Sequence, residues 1–227
     1  MHEWLTGGSR IKAVVGHFGS GKTEIALNAA VYLRALNRAV KLIDLDIVNP
    51  FFRSAEQKDM LRAHDIEAIY PEYALSSVDI PVLGPEILRA FERDSSTAIF
   101  DVGGDESGAA ALGRYKPQLD AAEAEMYYVI NPCRPRSCER DQILRMMEMI
   151  ELRSRLAISG IIANTNIAGY TTADTLAEGR GLIEEISRER GVPVVAECGL
   201  PEALNDASAT WEPFAITRYL KPEWMDI

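Results

Sequence analysis

The chain has 227 residues, 47% of them hydrophobic and 26% charged, which suits a soluble globular protein with one substantial core rather than two full-sized domains. Thirty-four acidic residues against 24 basic ones leave a formal net charge of −10. That balance repels nucleic acid and anionic lipid, and it argues against a general DNA binder or a membrane-surface protein.

No apolar run approaches the ~20 residues of a membrane span, and the opening MHEWLTGGSR lacks the basic start and apolar stretch of a secretory signal. Three cysteines, Cys133, Cys138 and Cys198, are odd in number and too few to staple such a chain. One cytoplasmic domain with reduced thiols is expected, with neither nucleic acid nor a membrane as partner.

From Arg10 the chain runs RIKAVVGHFGSGKTEIALNAAVYLRALNRAVKLIDLD, in the order strand, glycine loop, helix, strand. Ile25, Ala29, Leu33 and Leu36 recur at helical spacing and give the helix one apolar face, with its end near Asn37. Further helices are predicted at roughly 54–63, 84–93, 137–152 and 172–190. Between them lie short apolar runs rich in branched residues: AIFDVGG, MYYVINP, AISGIIANTN, VPVVAECG and, more weakly, IEAIY. Residues 70–85, with three prolines, read as a loop. The closing WEPFAITRYLKPEWMDI has few basic residues on a helical face and reads as a helix packed on the domain or a partner-docking segment.

The runs are nearly continuous rather than alternating, as in strands buried on both faces. Their alternation with helices predicts an α/β three-layer sandwich, a mostly parallel sheet with helices on both sides, because parallel neighbours need crossovers. Ligands bind such sheets beyond the carboxyl ends of the strands. His17, Asp44, Asp46, Asp101, Asn131 and Asn164 all follow apolar runs and should gather there.

Gly16, Gly21, Lys22 and Thr23 satisfy G-x-x-x-x-G-K-[ST], with Gly19 and Ser20 inside the pattern. The glycines let consecutive backbone amides turn toward phosphate oxygens, and the start of the following helix adds its positive dipole. Lys22 would neutralise the terminal phosphates, and the Thr23 hydroxyl would bind Mg²⁺. Such a site also needs carboxylates, since Mg²⁺ is a hard cation that relies on oxygen ligands. Asp101 in FDVGG supplies one, and Asp44 and Asp46 in LIDLDIVNP form a pair two residues apart. In an extended segment that spacing puts both on one side, so one can reach the metal shell while the other positions an attacking water.

Together these motifs resemble the MinD/ParA-like ATPases of the SIMIBI class of P-loop proteins, matched in order from Arg10 to Glu202. GHFGSGKT is similar to their phosphate loop, LIDLDIVNP to the D-x-D switch and FDVGG to the second switch. VINPCRPRSCERDQIL, GIIANTN and ECGLPE resemble the later strand-helix, base-contacting and purine-closing segments. The resemblance implies that Gly19 to Thr23 bind phosphates, Asp44 and Asp101 serve the Mg²⁺ shell, Asp46 orients the hydrolytic water and Asn164 reads adenine. ATP is favoured over GTP because Asn164 is followed by Thr165, Asn166 and Ile167, with neither the lysine nor the aspartate that guanine recognition uses.

One position departs from the family. His17 stands where a second lysine commonly reaches the partner's phosphates in a nucleotide-sandwich homodimer, and histidine is shorter and largely uncharged at pH 7. Weak intrinsic hydrolysis is therefore expected. Cys133 and Cys138, five apart, lack the C-x-x-C spacing of a metal site. Arg134, Arg136 and Arg140 make one local basic patch, read as a solvated helix start, with contact to nucleotide or to an acidic partner as the alternative, and Phe51, Phe52 and Arg53 follow the switch aspartates as a core or partner-facing segment. The leading expectation is a Mg²⁺-dependent ATPase that switches a protein partner or supports metallocentre assembly. A small-molecule kinase or ATP-dependent synthetase, and a non-catalytic nucleotide-binding module, are the alternatives.

Overall fold

A computed structural model describes residues 1–46, 55–70, 85–135 and 137–220. The first strand, β1 (Ile11–Gly16), follows a short helix α1 (Glu3–Thr6) and leads through a tight loop into α2 (Lys22–Ala35). Then come β2 (Val40–Leu45), α3 (Ala55–Ala63), β3 (Glu67–Ile69), a 3₁₀ turn (Pro85–Phe91) and β4 (Thr97–Val102). The second half holds α4 (Glu106–Gly113), α5 (Lys116–Ala121), β5 (Glu125–Ile130), α6 (Arg140–Ser154), β6 (Gly160–Ala163) and α7 (Ala173–Arg190). It closes with β7 (Val194–Gly199), α8 (Pro201–Asp206) and β8 (Pro213–Ala215).

These strands form one sheet in the order β3-β2-β4-β1-β5-β6-β7-β8, and every neighbouring pair is parallel. The predicted parallel sandwich is therefore the architecture found. Continuous apolar runs were needed because β1, β2 and β4 are buried at every position. Alternate residues serve two cores. Ile11, Ala13, Val15, Phe100 and Val102 pack with α4, α6 and α7, whereas Val14, Leu42 and Ile99 pack with α2.

Helix α2 buries Ile25, Leu27 and Leu33 completely, each such side chain contributing about 1.5–3 kcal/mol. Leu36, expected on the same face, lies just beyond the helix and is 39% exposed, because the chain turns at Asn37 with φ 59°. Helix α7 is fixed at its start by a capping box in which the Thr172 and Thr175 side chains bond each other's backbone amides, and at its end by Gly191 in the left-handed conformation.

Two local expectations change, and two short helices appear where none was predicted. Where an α-helix was expected over 84–93, Pro85–Phe91 forms a 3₁₀ turn, anchored by Lys41, whose Nζ donates to the Arg89 carbonyl and to Asp94. The segment 106–121, which carries two short helices, shows no long amphipathic repeat in sequence. The closing segment is corrected from helix to strand over Pro213–Ala215, where Phe214 fills the α2-side core and β8 extends the sheet edge beside β7. The proline-rich loop at 71–84, Arg136, the end of the chain at 221–227 and the aromatic pair Phe51 and Phe52 with Arg53 lie outside the described residues.

Candidate phosphate-binding site

The carboxyl ends of the central strands hold the predicted polar residues, and the backbone explains why glycine is written there. Gly16 ends β1 with φ 145°, Gly19 has φ 76°, and Gly21 caps α2 with φ 93°. At Gly21 two requirements coincide: the left-handed conformation, and a side-chain carbon that would stand 2.4 Å from Asn164 Nδ2. Gly104 is held from the other side. A carbon added there would lie 2.5 Å from the Phe18 amide nitrogen and 2.8 Å from Lys22 Nζ.

Lys22 opens α2 and is buried, with Nζ donating to the His17 carbonyl at 3.0 Å. Burial pushes its ammonium pKa down, and the nearby carboxylates of Asp101, Asp46 and Asp105 act in the opposite direction. Asp44 and Asp101 sit on the α2 face of β2 and β4 and are register partners across those strands. Both are nearly inaccessible. Asp101 is pushed up to about 7, first by burial and then by the Asp44 carboxylate, while Lys22 and the adjacent Thr23 hydroxyl work against the rise. Neither Asp101 oxygen makes a well-formed hydrogen bond among the described residues, although the Thr23 hydroxyl stands close enough to favour the charged form.

Asp46 lies just past β2, and its amide donates to Asp44 Oδ1 at 2.9 Å. It is less buried than Asp44 and approaches the second glycine turn, its Oδ1 3.4 Å from where a side chain at Gly103 would begin. Lys22, Thr23, Asp44, Asp46 and Asp101 are thus brought together at one end of β1, β2 and β4.

Asn164 follows β6 and is buried beneath the loop, where its Nδ2 donates to the Ser20 carbonyl at 2.7 Å. Ser20 is wholly inaccessible. The expected base-contacting residue therefore also braces the phosphate loop. His17 turns toward α6, where it lines a shallow pocket of about 320 Å³ with Gln142, Arg145, Met146 and Met149. Phe18, at the tip, is 64% exposed.

Sequence reasoning placed Asn131 at the strand ends without giving it a role, and it passed over Asp105, the Arg180–Glu197 pair and the Asn28 and Glu24 contacts. Asp105 caps α4 by accepting from the Gly108 amide and adds a third carboxylate near Lys22. Asn131, 1% exposed, organises the β5–α6 loop: its Oδ1 accepts from the amides of Cys133 and Asn166, and its Nδ2 donates to the Asn166 carbonyl. A buried pair, Arg180 with Glu197, stands behind the β7 end through two bonds of 2.8 and 2.7 Å. Farther along, residues 217–220 are strapped to α2. Asn28 bonds both backbone groups of Thr217, and Glu24 accepts from the amides of Tyr219 and Leu220. The aspartate before a helix and the asparagine before proline were visible signals, whereas the strap joins residues nearly 200 positions apart.

Fold and loop together define the class: this is an α/β fold of the P-loop NTPase kind. Among solved structures the chain is similar to the cell division protein FtsY of Thermotoga maritima, at 18% identity and a TM-score of 0.56 over 81% of this chain and 60% of that one. Chloroplast FtsY of Physcomitrella patens matches at 16% identity and 0.56 over 85% and 63%. The signal recognition particle receptor FtsY of Elizabethkingia anophelis, solved with GDP, matches at 17% and 0.52 over 83% and 57%. The chain thus spans about 60% of the length of these structures. The likeness is one of fold alone and does not show the MinD/ParA family. No protein-family model matches the chain, and no curated protein matches it in sequence.

No helix among the described residues is long and apolar enough to cross a membrane. Cys133, Cys138 and Cys198 are free thiols, the last wholly buried.

Proposed function

We propose that the chain is a single nucleotide-binding domain that binds ATP with Mg²⁺ and hydrolyses it slowly, as a switch for a protein partner or for metallocentre assembly. The observation that carries this reading is the convergence of Lys22, Thr23 and Asp101 with Asp44 and Asp46 behind a glycine loop. Asp101 supplies two buried oxygens that make no well-formed hydrogen bond among the described residues, beside a hydroxyl, and this donor set fits a hard divalent cation. Among the described residues no three or more His, Cys, Asp or Glu side chains are grouped to hold a metal by themselves. Mg²⁺ bound with a nucleotide needs no such cage, since it takes most of its oxygens from phosphate and water.

In this reading Gly16 to Thr23 wrap the phosphates with backbone amides, and Lys22 exchanges the His17 carbonyl for a phosphate oxygen. Thr23 and Asp101, with Asp44 behind them, hold the Mg²⁺ shell, and bound Mg²⁺ supplies neutralisation of the phosphate charge. Asp46, the most accessible of the three aspartates, orients water. The sequence Asn164-Thr165-Asn166-Ile167 favours adenine. His17, turned toward α6, supports slow hydrolysis without a lysine from a second copy.

Phosphate release from ATP, followed over hours, tests the reading. Asp46→Asn should retain ATP and release phosphate at least about tenfold more slowly. Equal release by wild type and variant would remove Asp46 from its role, and GTP used in preference to ATP would reverse the base assignment.

A further inference from the structure

The phosphate loop holds one lysine of its own, and a second cation waits beside it. Arg134, in the loop between β5 and α6, lies across the phosphate loop with Nε donating to the Gly19 carbonyl at 3.1 Å. Its Cδ and Nε both lie 3.9 Å from the position a Gly19 side chain would take. The backbone that presents Arg134 is fixed from below. The Asn131 carbonyl accepts from the Arg134 amide at 3.2 Å and from Ser137 Oγ at 2.7 Å, and the Ser137 amide returns to the Arg134 carbonyl at 2.9 Å. Asn131 and Ser137 are both buried, so an exposed arginine stands on a buried, bonded base.

Its partner is a backbone carbonyl, as for Arg10, Arg38 and Arg155, but only for Arg134 among these four does that carbonyl belong to the phosphate loop. Arg140, a few residues on, pairs with Asp141, Glu185 and Glu189, and Arg180 and Arg190 pair with glutamates. Arg134 has no carboxylate partner among the described residues and rests on a neutral carbonyl instead. One N–H is used there, which leaves the four N–H groups of the terminal nitrogens for another acceptor. Lys22 is placed the same way, on the carbonyl of His17. Two cations parked on two carbonyls of one phosphate loop are available to an anion that comes and goes.

We infer that Arg134 is a phosphate-binding residue: its guanidinium contacts the terminal phosphate of the nucleoside triphosphate held by the same chain and discriminates triphosphate from diphosphate. The inference rests on the nucleotide-binding reading above. A planar guanidinium suits a terminal phosphate because it donates two parallel bonds to a fully charged group. A cation on the β5 side of the loop also offsets the negative field of Asp44, Asp46 and Asp101 on its β2–β4 side.

The test is calorimetric titration of the full chain with a non-hydrolysable ATP analogue and with ADP, each with Mg²⁺, for wild type, Arg134→Ala and Arg134→Lys. Arg134→Ala should weaken the triphosphate about tenfold and ADP less than about threefold, with Arg134→Lys recovering part of the loss. The melting temperature without nucleotide should not move, since the side chain is exposed. Equal losses for both nucleotides, or none for either, would overturn the inference while leaving nucleotide binding intact. Wild type binding neither would overturn both readings, so the two failures are distinguishable.

Discussion

Asp44 and Asp101 are paired across β2 and β4, so two carboxylates share one buried strand end on the side where α2 begins. Burial first, and then repulsion from Asp44, hold Asp101 up to about 7 from its ordinary 3.8. The folded state then binds this proton more tightly than the unfolded chain. The stability of the empty protein falls as pH rises between those values, and the penalty is complete above about pH 7. Asp101→Asn should therefore raise the melting temperature at pH 8 by roughly 5 °C or more and change it little at pH 4. It should also abolish Mg²⁺-dependent nucleotide binding. A variant no more stable than wild type at pH 8 would contradict the strain assigned to this pair.

Asn164 joins the end of β6 to the phosphate loop through Ser20. Asn164→Ala removes a buried donor and leaves the Ser20 carbonyl unsatisfied, a change worth about 1–3 kcal/mol. Its melting temperature without nucleotide should fall by roughly 5 °C, and nucleotide affinity should fall with it. If only affinity changed, Asn164 would be a ligand contact and not a brace.

Glu197 is 2% exposed, and the Arg180 guanidinium meets both of its oxygens. Arg180→Met strands a buried carboxylate and should cost about 3–5 kcal/mol in urea unfolding. Arg180→Met combined with Glu197→Leu should recover most of that loss, because the desolvated charge is gone. A double variant as unstable as the single one would show that the arginine acts through packing instead.

The central fold was legible because its signals are local. Continuous apolar runs such as AVVG and IFDV, separated by helical spacing, mark buried parallel strands, and G-x-x-x-x-G-K-T marks the turn from β1 into α2. The pairing of Asp44 with Asp101 was not visible, since register between strands more than 50 residues apart leaves no trace in either segment. Phe214 explains the failure at the end of the chain. Its surroundings WEPFAITRY carry no clear period, and only the core against α2 and the open edge of β7 make it a strand. In the sequence Arg134 was one of three arginines in a basic patch, read first as a solvated helix start and alternatively as a contact for nucleotide or an acidic partner. Its distinction from Arg140 depends on which arginine found carboxylates, and that is decided by α7.

The most direct test of the account is binding of ATP with Mg²⁺ by wild type and Lys22→Ala, measured by titration calorimetry with GTP in parallel. Lys22 contributes the one buried cation of the phosphate loop, and its loss leaves the backbone amides alone against the phosphates. Wild type should bind ATP more tightly than GTP, and Lys22→Ala should bind ATP at least about tenfold more weakly. Equal ATP affinity in the two proteins, or no binding by either, would contradict the phosphate-loop reading.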